Sequence, residues 1–223
     1  MSIPENLKVI HSQLPAKVKL VAVSKTKSNQ QIMVAYQAGQ RLFGENKLQE
    51  LTTKWQELPK DIEWHFIGHL QSNKVKQLVP FISLIHGVDS FKLLSAINKE
   101  AEKIDRVVPV LLEFHVADEE SKFGLTLSQA EELLSRPEMV SMHHISIRGV
   151  MGMATFTDDQ KKIEADFKQL YHIFHVLRDQ YFSQNSQFCE ISMGMSDDFR
   201  IAIAEGSTIV RIGSKIFGTR INV

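Results

Sequence analysis

The sequence predicts a (β/α)8 barrel, and three observations predict it. Short β-branched runs alternate with helical patterns along nearly the whole chain. Several runs are apolar on both faces, as strands buried in a parallel sheet must be. Glycines and polar residues gather just after these runs, where a barrel keeps its chemistry. A doubly wound open sheet is the runner-up. It would carry a glycine-rich turn after the first strand, but the turn here is Ser24-Lys25-Thr26-Lys27.

The elements follow in chain order. A helical segment, Pro4–Gln13, precedes the first strand and is expected to close the bottom of the barrel. The strand runs are Val18–Val23, Arg41–Phe43, Trp64–Ile67, Leu84–Gly87, Val107–Phe114, Ile145–Met151, Phe188–Ser192 and Thr208–Ile212. The first inter-strand helix opens at Ser28 with Gln31 three residues on, a capping-box signature. It closes at Gly39, a residue suited to a left-handed C-terminal cap. Leu94, Ile97, Ala101 and Ile104 stand at helical spacing. The longest helix carries Ile163, Phe167, Leu170, Phe174, Leu177 and Tyr181, a stripe stepping by fours and threes. A last one is expected over Asp197–Ala204.

Composition excludes several function classes. The 223 residues hold 26 basic and 26 acidic side chains, so the formal net charge is zero. That speaks against nucleic acid as a partner. No apolar stretch approaches the roughly 18 residues that cross a bilayer, and the N-terminus lacks the basic and apolar regions of a signal peptide. A cytoplasmic protein without a membrane partner is expected. The lone Cys189 excludes an internal disulfide framework and a cysteine-based zinc site, and its apolar strand reads as core. His143-His144 reads as solvated loop, and His172 and His175 as helix surface. The methionines 151, 153, 193 and 195 read as core, with pocket lining the alternative. A length of 223 residues suits one barrel domain over 1–223.

The ends of the strand runs carry the candidate site. Lys25 follows the all-apolar Leu20-Val21-Ala22-Val23. A lysine partly buried at a barrel mouth has a lowered pKa and attacks carbonyls. Its alternative is a plain surface lysine, as Lys27 reads. The loops after strands seven and eight commonly make a phosphate site in barrels. Here they hold Gly194 and Gly213, which let backbone N–H groups approach an anion, and the hydroxyls of Ser196 and Ser214. Ser196 also reads as the cap of the following helix. Arg211 shares a strand face with Gly213 and so points inward. It is either a functional cation or half of an ion pair with Glu113 or Glu190. These residues alone leave open a lysine-dependent aldolase acting on a sugar phosphate.

The stretches Val21-Ala22-Val23-Ser24-Lys25-Thr26-Lys27, Phe43-Gly44-Glu45-Asn46, Trp64-His65-Phe66-Ile67-Gly68-His69-Leu70-Gln71 and Ser192-Met193-Gly194-Met195-Ser196-Asp197-Asp198 resemble those of the pyridoxal phosphate homeostasis proteins. So does Gly206-Ser207-Thr208-Ile209-Val210-Arg211-Ile212-Gly213-Ser214, followed by Phe217-Gly218. The resemblance runs through nearly the whole chain in the family's order. It implies one barrel like the N-terminal domain of alanine racemase, with pyridoxal 5′-phosphate (PLP) as the cofactor. It implies that Lys25 holds PLP as an imine, that Ser196, Gly213 and Ser214 bind its phosphate, and that Arg211 faces its pyridine nitrogen. Asn46 and Met195 fall in the implied pocket. No metal is implied.

The implied role is a carrier and regulator in PLP, vitamin B6 and amino-acid homeostasis, not an enzyme. Its partners are PLP and the PLP-dependent apo-enzymes it supplies, and the protein is expected to be a monomer. The alternative is a PLP enzyme with weak racemase or lyase activity. Against it, a guanidinium cannot accept the pyridine proton that strong carbanion chemistry requires. The sequence also ends at Val223, soon after its last barrel motif, so the tyrosine base that alanine racemase draws from a second domain is not expected. Ser214 stands where the family commonly has threonine, which keeps the hydroxyl. Arg148-Gly149-Val150-Met151-Gly152-Met153 matches loosely and Lys215 is an extra charge, so neither receives a role.

Overall fold

In a computed structural model, residues 1–118 and 123–218 are described. Residues 119–122 and 219–223 of the expected 1–223 domain, Val223 included, lie outside the described residues. Eight parallel strands close into a barrel in sequence order: β1 Lys19–Val23, β2 Leu42–Glu45, β3 Glu63–Phe66, β4 Leu84–Val88, β5 Val108–Phe114, β6 Ile145–Gly152, β7 Glu190–Ser192 and β8 Ile209–Ile212. The predicted runs find all eight, with end shifts of a residue or two. The ring closes where β1 pairs β8, Val21 opposite Arg211.

The strands are apolar on both faces because each face meets a different core. Outward side chains such as Ala22, Phe43, Trp64, Ile85, Val110 and Ile212 pack under the helices. Inward ones, Val21, Leu84, Leu111, Met151 and Ile209, fill the barrel axis with Leu42 against them. The helices are α1 Ile3–His11, α2 Asn29–Gln37, α3 Leu48–Glu57, α4 Val75–Leu78, α5 Phe91–Glu102, α6 Leu127–Leu134, α7 Gln160–Tyr181, α8 Phe199–Ala204 and α9 Ser214–Phe217.

The predicted capping box on α2 forms, with Ser28 accepting from the Gln31 N–H, and Gly39 follows at φ +98°. On α7 the stripe from Ile163 to Leu177 is buried. Each such side chain contributes about 1.5–3 kcal/mol of transfer free energy. Tyr181 is half-buried.

Four expectations fail here. The α5 stripe stops early: the helix ends at Glu102, and Ile104 is 47% exposed. α1 packs against α2 and α9 and gives only His11 to a cavity of about 560 Å3 at the barrel bottom. Cys189 is exposed, because β7 begins one residue later and Phe188 takes the buried place, stacked on Phe174 of α7. Of the four methionines, 151 and 193 are core, but Met153 is 47% and Met195 38% exposed at the strand exits.

Candidate functional site

The predicted residues lie at the C-terminal ends of β7, β8, β1 and β2, which are consecutive around the barrel. They therefore share one side of the mouth. Lys25 is half-buried two residues beyond β1, and Asn46, also half-buried, is the first residue after β2. The β1–β2 register, Val23 opposite Gly44, carries these two exits forward together.

After β7 the chain turns at Gly194, φ +94°, where an added Cβ would sit 2.5 Å from the Ala202 Cβ of α8. Glycine is thus required for packing there as well as for the backbone angle. The turn exposes Met195 and buries Ser196. Ser196 is not the helix cap. α8 starts at Phe199, and Ser196 Oγ instead accepts from the Gly213 N–H at 3.4 Å. This bond joins the two predicted phosphate loops.

Gly213 passes close to β1: a Cβ there would lie 3.1 Å from the Val23 carbonyl oxygen. α9 starts at the next residue, so the N–H groups of Ser214 and Lys215 have no intrahelical partner. Lys215 stands over the Phe199 ring, its Nζ 5.3 Å from the centroid. In the loosely matching segment, Gly152 supplies a carbonyl to Arg211.

Arg211 is 5% exposed and forms no ion pair among the described residues. Its Nη1 donates to the Ser192 carbonyl at 2.8 Å and to Ser192 Oγ at 2.6 Å, and its Nη2 donates to the Gly152 carbonyl at 3.1 Å. Glu190 is taken at the barrel bottom by Lys19 and Thr208. Glu113 forms no salt bridge among the described residues, though its charge is felt by Arg211. Burial lowers the guanidinium pKa to about 10, which leaves it a cation at neutral pH.

Beneath Arg211 lies a chain of groups that sequence reasoning missed. Ser192 Oγ is 2.9 Å from His86 Nδ1, and His86 Nε2 is 3.0 Å from His65 Nδ1. One hydrogen arrangement satisfies them all. Arginine only donates, so Ser192 accepts from it, and the serine hydroxyl hydrogen finds its acceptor in His86 Nδ1. His86 then carries its proton on Nε2 and donates to His65. Both imidazoles are neutral, because burial holds His65 at about 3 and His86 well below the usual histidine value. The available signal was strand alternation. In Glu63-Trp64-His65-Phe66 the histidine falls opposite the outward Trp64 and Phe66.

Glu113 closes the far side of the mouth from β5, 8% exposed. Burial, then the nearby Asp89 charge, raises its carboxyl to about 7 against the pull of Arg211. Near Lys25, Ser24 Oγ donates to Glu45 Oε1 at 2.6 Å, and Lys54 of α3 reaches the same oxygen at 2.7 Å. Burial raises the Glu45 carboxyl even against the Lys54 charge. A cavity of about 970 Å3 runs beside the mouth along α3 and the β3 exit. Of the predicted residues it takes only Asn46. Groups of three or more metal-ligating side chains are absent among the described residues.

These residues fit PLP by the chemistry of the donor set. One lysine stands at the mouth on the same side as a set of hydroxyls and backbone N–H groups without intrahelical partners, with a buried cation on the neighbouring strand.

The profile of the alanine racemase N-terminal domain family matches residues 2–221. The chain is 38% identical over 234 residues to the pyridoxal phosphate homeostasis protein of Pasteurella multocida, covering 99% of this chain and 98% of that one. It is 40% identical over 202 residues to the Helicobacter pylori protein of the same name, covering 90% and 87%. Among solved structures it resembles PipY of Synechococcus elongatus with PLP bound, at TM-score 0.89 and 35% identity, covering 97% of this chain and 100% of that one. An alanine racemase of Clostridium difficile matches at TM-score 0.71 and 13% identity over 99% of this chain and 57% of that one, a likeness of fold alone. The chain therefore belongs to the pyridoxal phosphate homeostasis protein family, built on the alanine racemase N-terminal domain.

Proposed function

We propose that this chain, as one barrel domain, binds PLP and serves as a carrier in vitamin B6 and amino-acid homeostasis without turnover of its own. The observation that carries the reading is the meeting, on one side of the mouth, of Lys25 with the Ser196–Gly213 junction and the first turn of α9. Lys25 is the residue to hold the aldehyde carbon. Ser196, Ser214 and the N–H groups of Gly213 and its successors are the donors for a phosphate. Asn46 and Met195 would line the pocket beside them.

PLP, when bound, supplies an electron sink for charge developing at an amine's α-carbon. Arg211 limits that chemistry. It donates only, and two carbonyls and a hydroxyl hold it in place. A ring nitrogen set against it meets a donor and stays unprotonated. The reading extends to a monomer that passes PLP to PLP-dependent apo-enzymes.

Borohydride treatment of the PLP-loaded protein, followed by peptide mass spectrometry, tests the assignment. A pyridoxyl adduct on Lys25, lost in Lys25→Ala, is expected. An adduct on Lys27 or Lys74 instead refutes it. Deuterium uptake at Cα of added alanine tests the carrier reading. Exchange at about 1 per second or faster, an ordinary enzyme rate, makes the protein a PLP enzyme instead.

A further inference from the structure

Two features of the β1 exit need a cause. Thr26, directly after Lys25, sits at φ +65°, where a β-branched residue is an outlier. Lys54, on α3, is charged yet only 5% exposed. One cluster links them. Lys54 Nζ donates to the Ser24 carbonyl at 2.8 Å, to Glu45 Oε1 at 2.7 Å and to Glu50 Oε1 at 2.6 Å. An ammonium has three N–H bonds, and each has an acceptor. Glu50 Oε1 also accepts from the Thr26 N–H at 2.7 Å. The peptide groups on both sides of Lys25 are thus gripped from behind, by Lys54 on the carbonyl of Ser24 and by Glu50 on the N–H of Thr26.

We propose that Lys54, Glu45 and Glu50 are positioning residues for Lys25, fixing a strained turn so that its amine is presented to the mouth. This rests on the reading of Lys25 as the residue that holds the PLP aldehyde. Strained backbone persists only where its surroundings over-determine it, and here the surroundings are these side chains. Their arrangement suits precision more than stability. A buried ion pair adds little net stability but fixes geometry, and the second oxygen of Glu45 is left buried without a partner among the described residues. A long lysine side chain on a free turn would lose more conformational freedom on capture than one whose backbone is already set.

Glu50→Ala is the primary variant. It removes the Thr26 acceptor and leaves Lys54 its bonds to Glu45 and Ser24, so the buried charge stays paired. Lys54→Met strips Glu45 of its cation and is the harsher second variant. Two measurements are made. Amide hydrogen exchange at Thr26 is followed in PLP-free protein. The rate of borohydride-trapped adduct formation on Lys25 is compared with affinity for pyridoxamine 5′-phosphate, which has no aldehyde.

In Glu50→Ala, exchange at Thr26 should rise and adduct formation should slow about tenfold, with pyridoxamine phosphate affinity unchanged. Adding Thr26→Gly should restore part of the adduct rate, because glycine takes a positive φ unaided. Unchanged Thr26 exchange, or adduct rate and analogue affinity falling together, overturns the positioning role. Absence of a Lys25 adduct in the wild-type protein overturns the PLP reading itself, a result that no behaviour of Glu50→Ala can mimic.

Discussion

Glu113 should make the folded protein less stable as pH rises, the opposite of an ordinary surface carboxylate. Its pKa is raised from 4.5 to about 7 by burial and by the Asp89 charge. Between those values the folded state keeps a proton that the unfolded state has released. Stability then falls with rising pH across that window and levels off above it. At about 1.4 kcal/mol per pH unit, the loss between pH 5 and pH 8 is about 2–3 kcal/mol, a large part of a typical net stability. His65 and His86 act in the other direction. Their pKa values are lowered, so the unfolded state binds protons that the folded state refuses, and stability falls as pH drops below about 6.5. The wild-type profile alone therefore mixes the two effects.

Glu113→Gln separates them, because it keeps the shape and removes only the carboxyl titration. Urea unfolding of both proteins from pH 5 to pH 8 should show the variant gaining about 2–3 kcal/mol on the wild type. At an m-value of about 2–3 kcal/mol/M this is about 1 M in midpoint. Parallel curves across the range would refute the burial argument. A difference that grows towards acid would show that Arg211, and not burial, dominates Glu113.

Ser214→Ala should weaken PLP binding by about 5- to 30-fold, the loss of one hydrogen bond to a charged group among several. Gly213→Val should weaken it more and also lower stability by about 1–3 kcal/mol, because the new Cβ presses on Val23. Equal PLP affinity in Gly213→Val and wild type, by equilibrium dialysis, would count against the phosphate site. Arg211→Glu should cost about 3–5 kcal/mol in urea unfolding, since it sets a carboxylate against the carbonyl oxygens of Ser192 and Gly152. A near-neutral effect would mean that those contacts are not what holds the guanidinium.

The fold was legible because a barrel repeats one rhythm and each strand is apolar on two faces. The placement of Lys25, Ser196 and Gly213 at the barrel mouth was legible because it follows from element order alone. What escaped depends on side-chain partners far apart in the chain. His65, His86 and Ser192 come from β3, β4 and β7, and no local pattern says that their inward faces meet. Lys54 looks like any helix-surface lysine in Thr52-Thr53-Lys54-Trp55. Its burial follows only once α3 is laid behind β1 and β2. The cap reading of Ser196 failed for the same reason: a serine before a helix is usually its cap, and here the loop from β8 claims it.

The chain from Arg211 to His65 has a direction, and the direction bears on how the mouth behaves. Each donor in it points away from the mouth, ending in the Nε2–H of His65, a residue that also lines the cavity at the barrel bottom. Reversing the direction would make Ser192 Oγ accept from both Arg211 and His86, leaving its own hydroxyl hydrogen without an acceptor in the chain. The tautomers of the two histidines therefore follow from where the Ser192 hydroxyl hydrogen goes once Arg211 has taken one of its lone pairs. Bonds aligned in one sense polarise one another in a low-dielectric interior, so the chain strengthens the hold on Ser192 and through it on Arg211. Protonating either histidine would put a second cation on the barrel axis beside Arg211, and burial keeps both neutral. A barrel axis filled only with leucine and valine could pack as well, but would leave the guanidinium to its two carbonyls. The polar core is what holds the buried Arg211 guanidinium still at the base of the mouth.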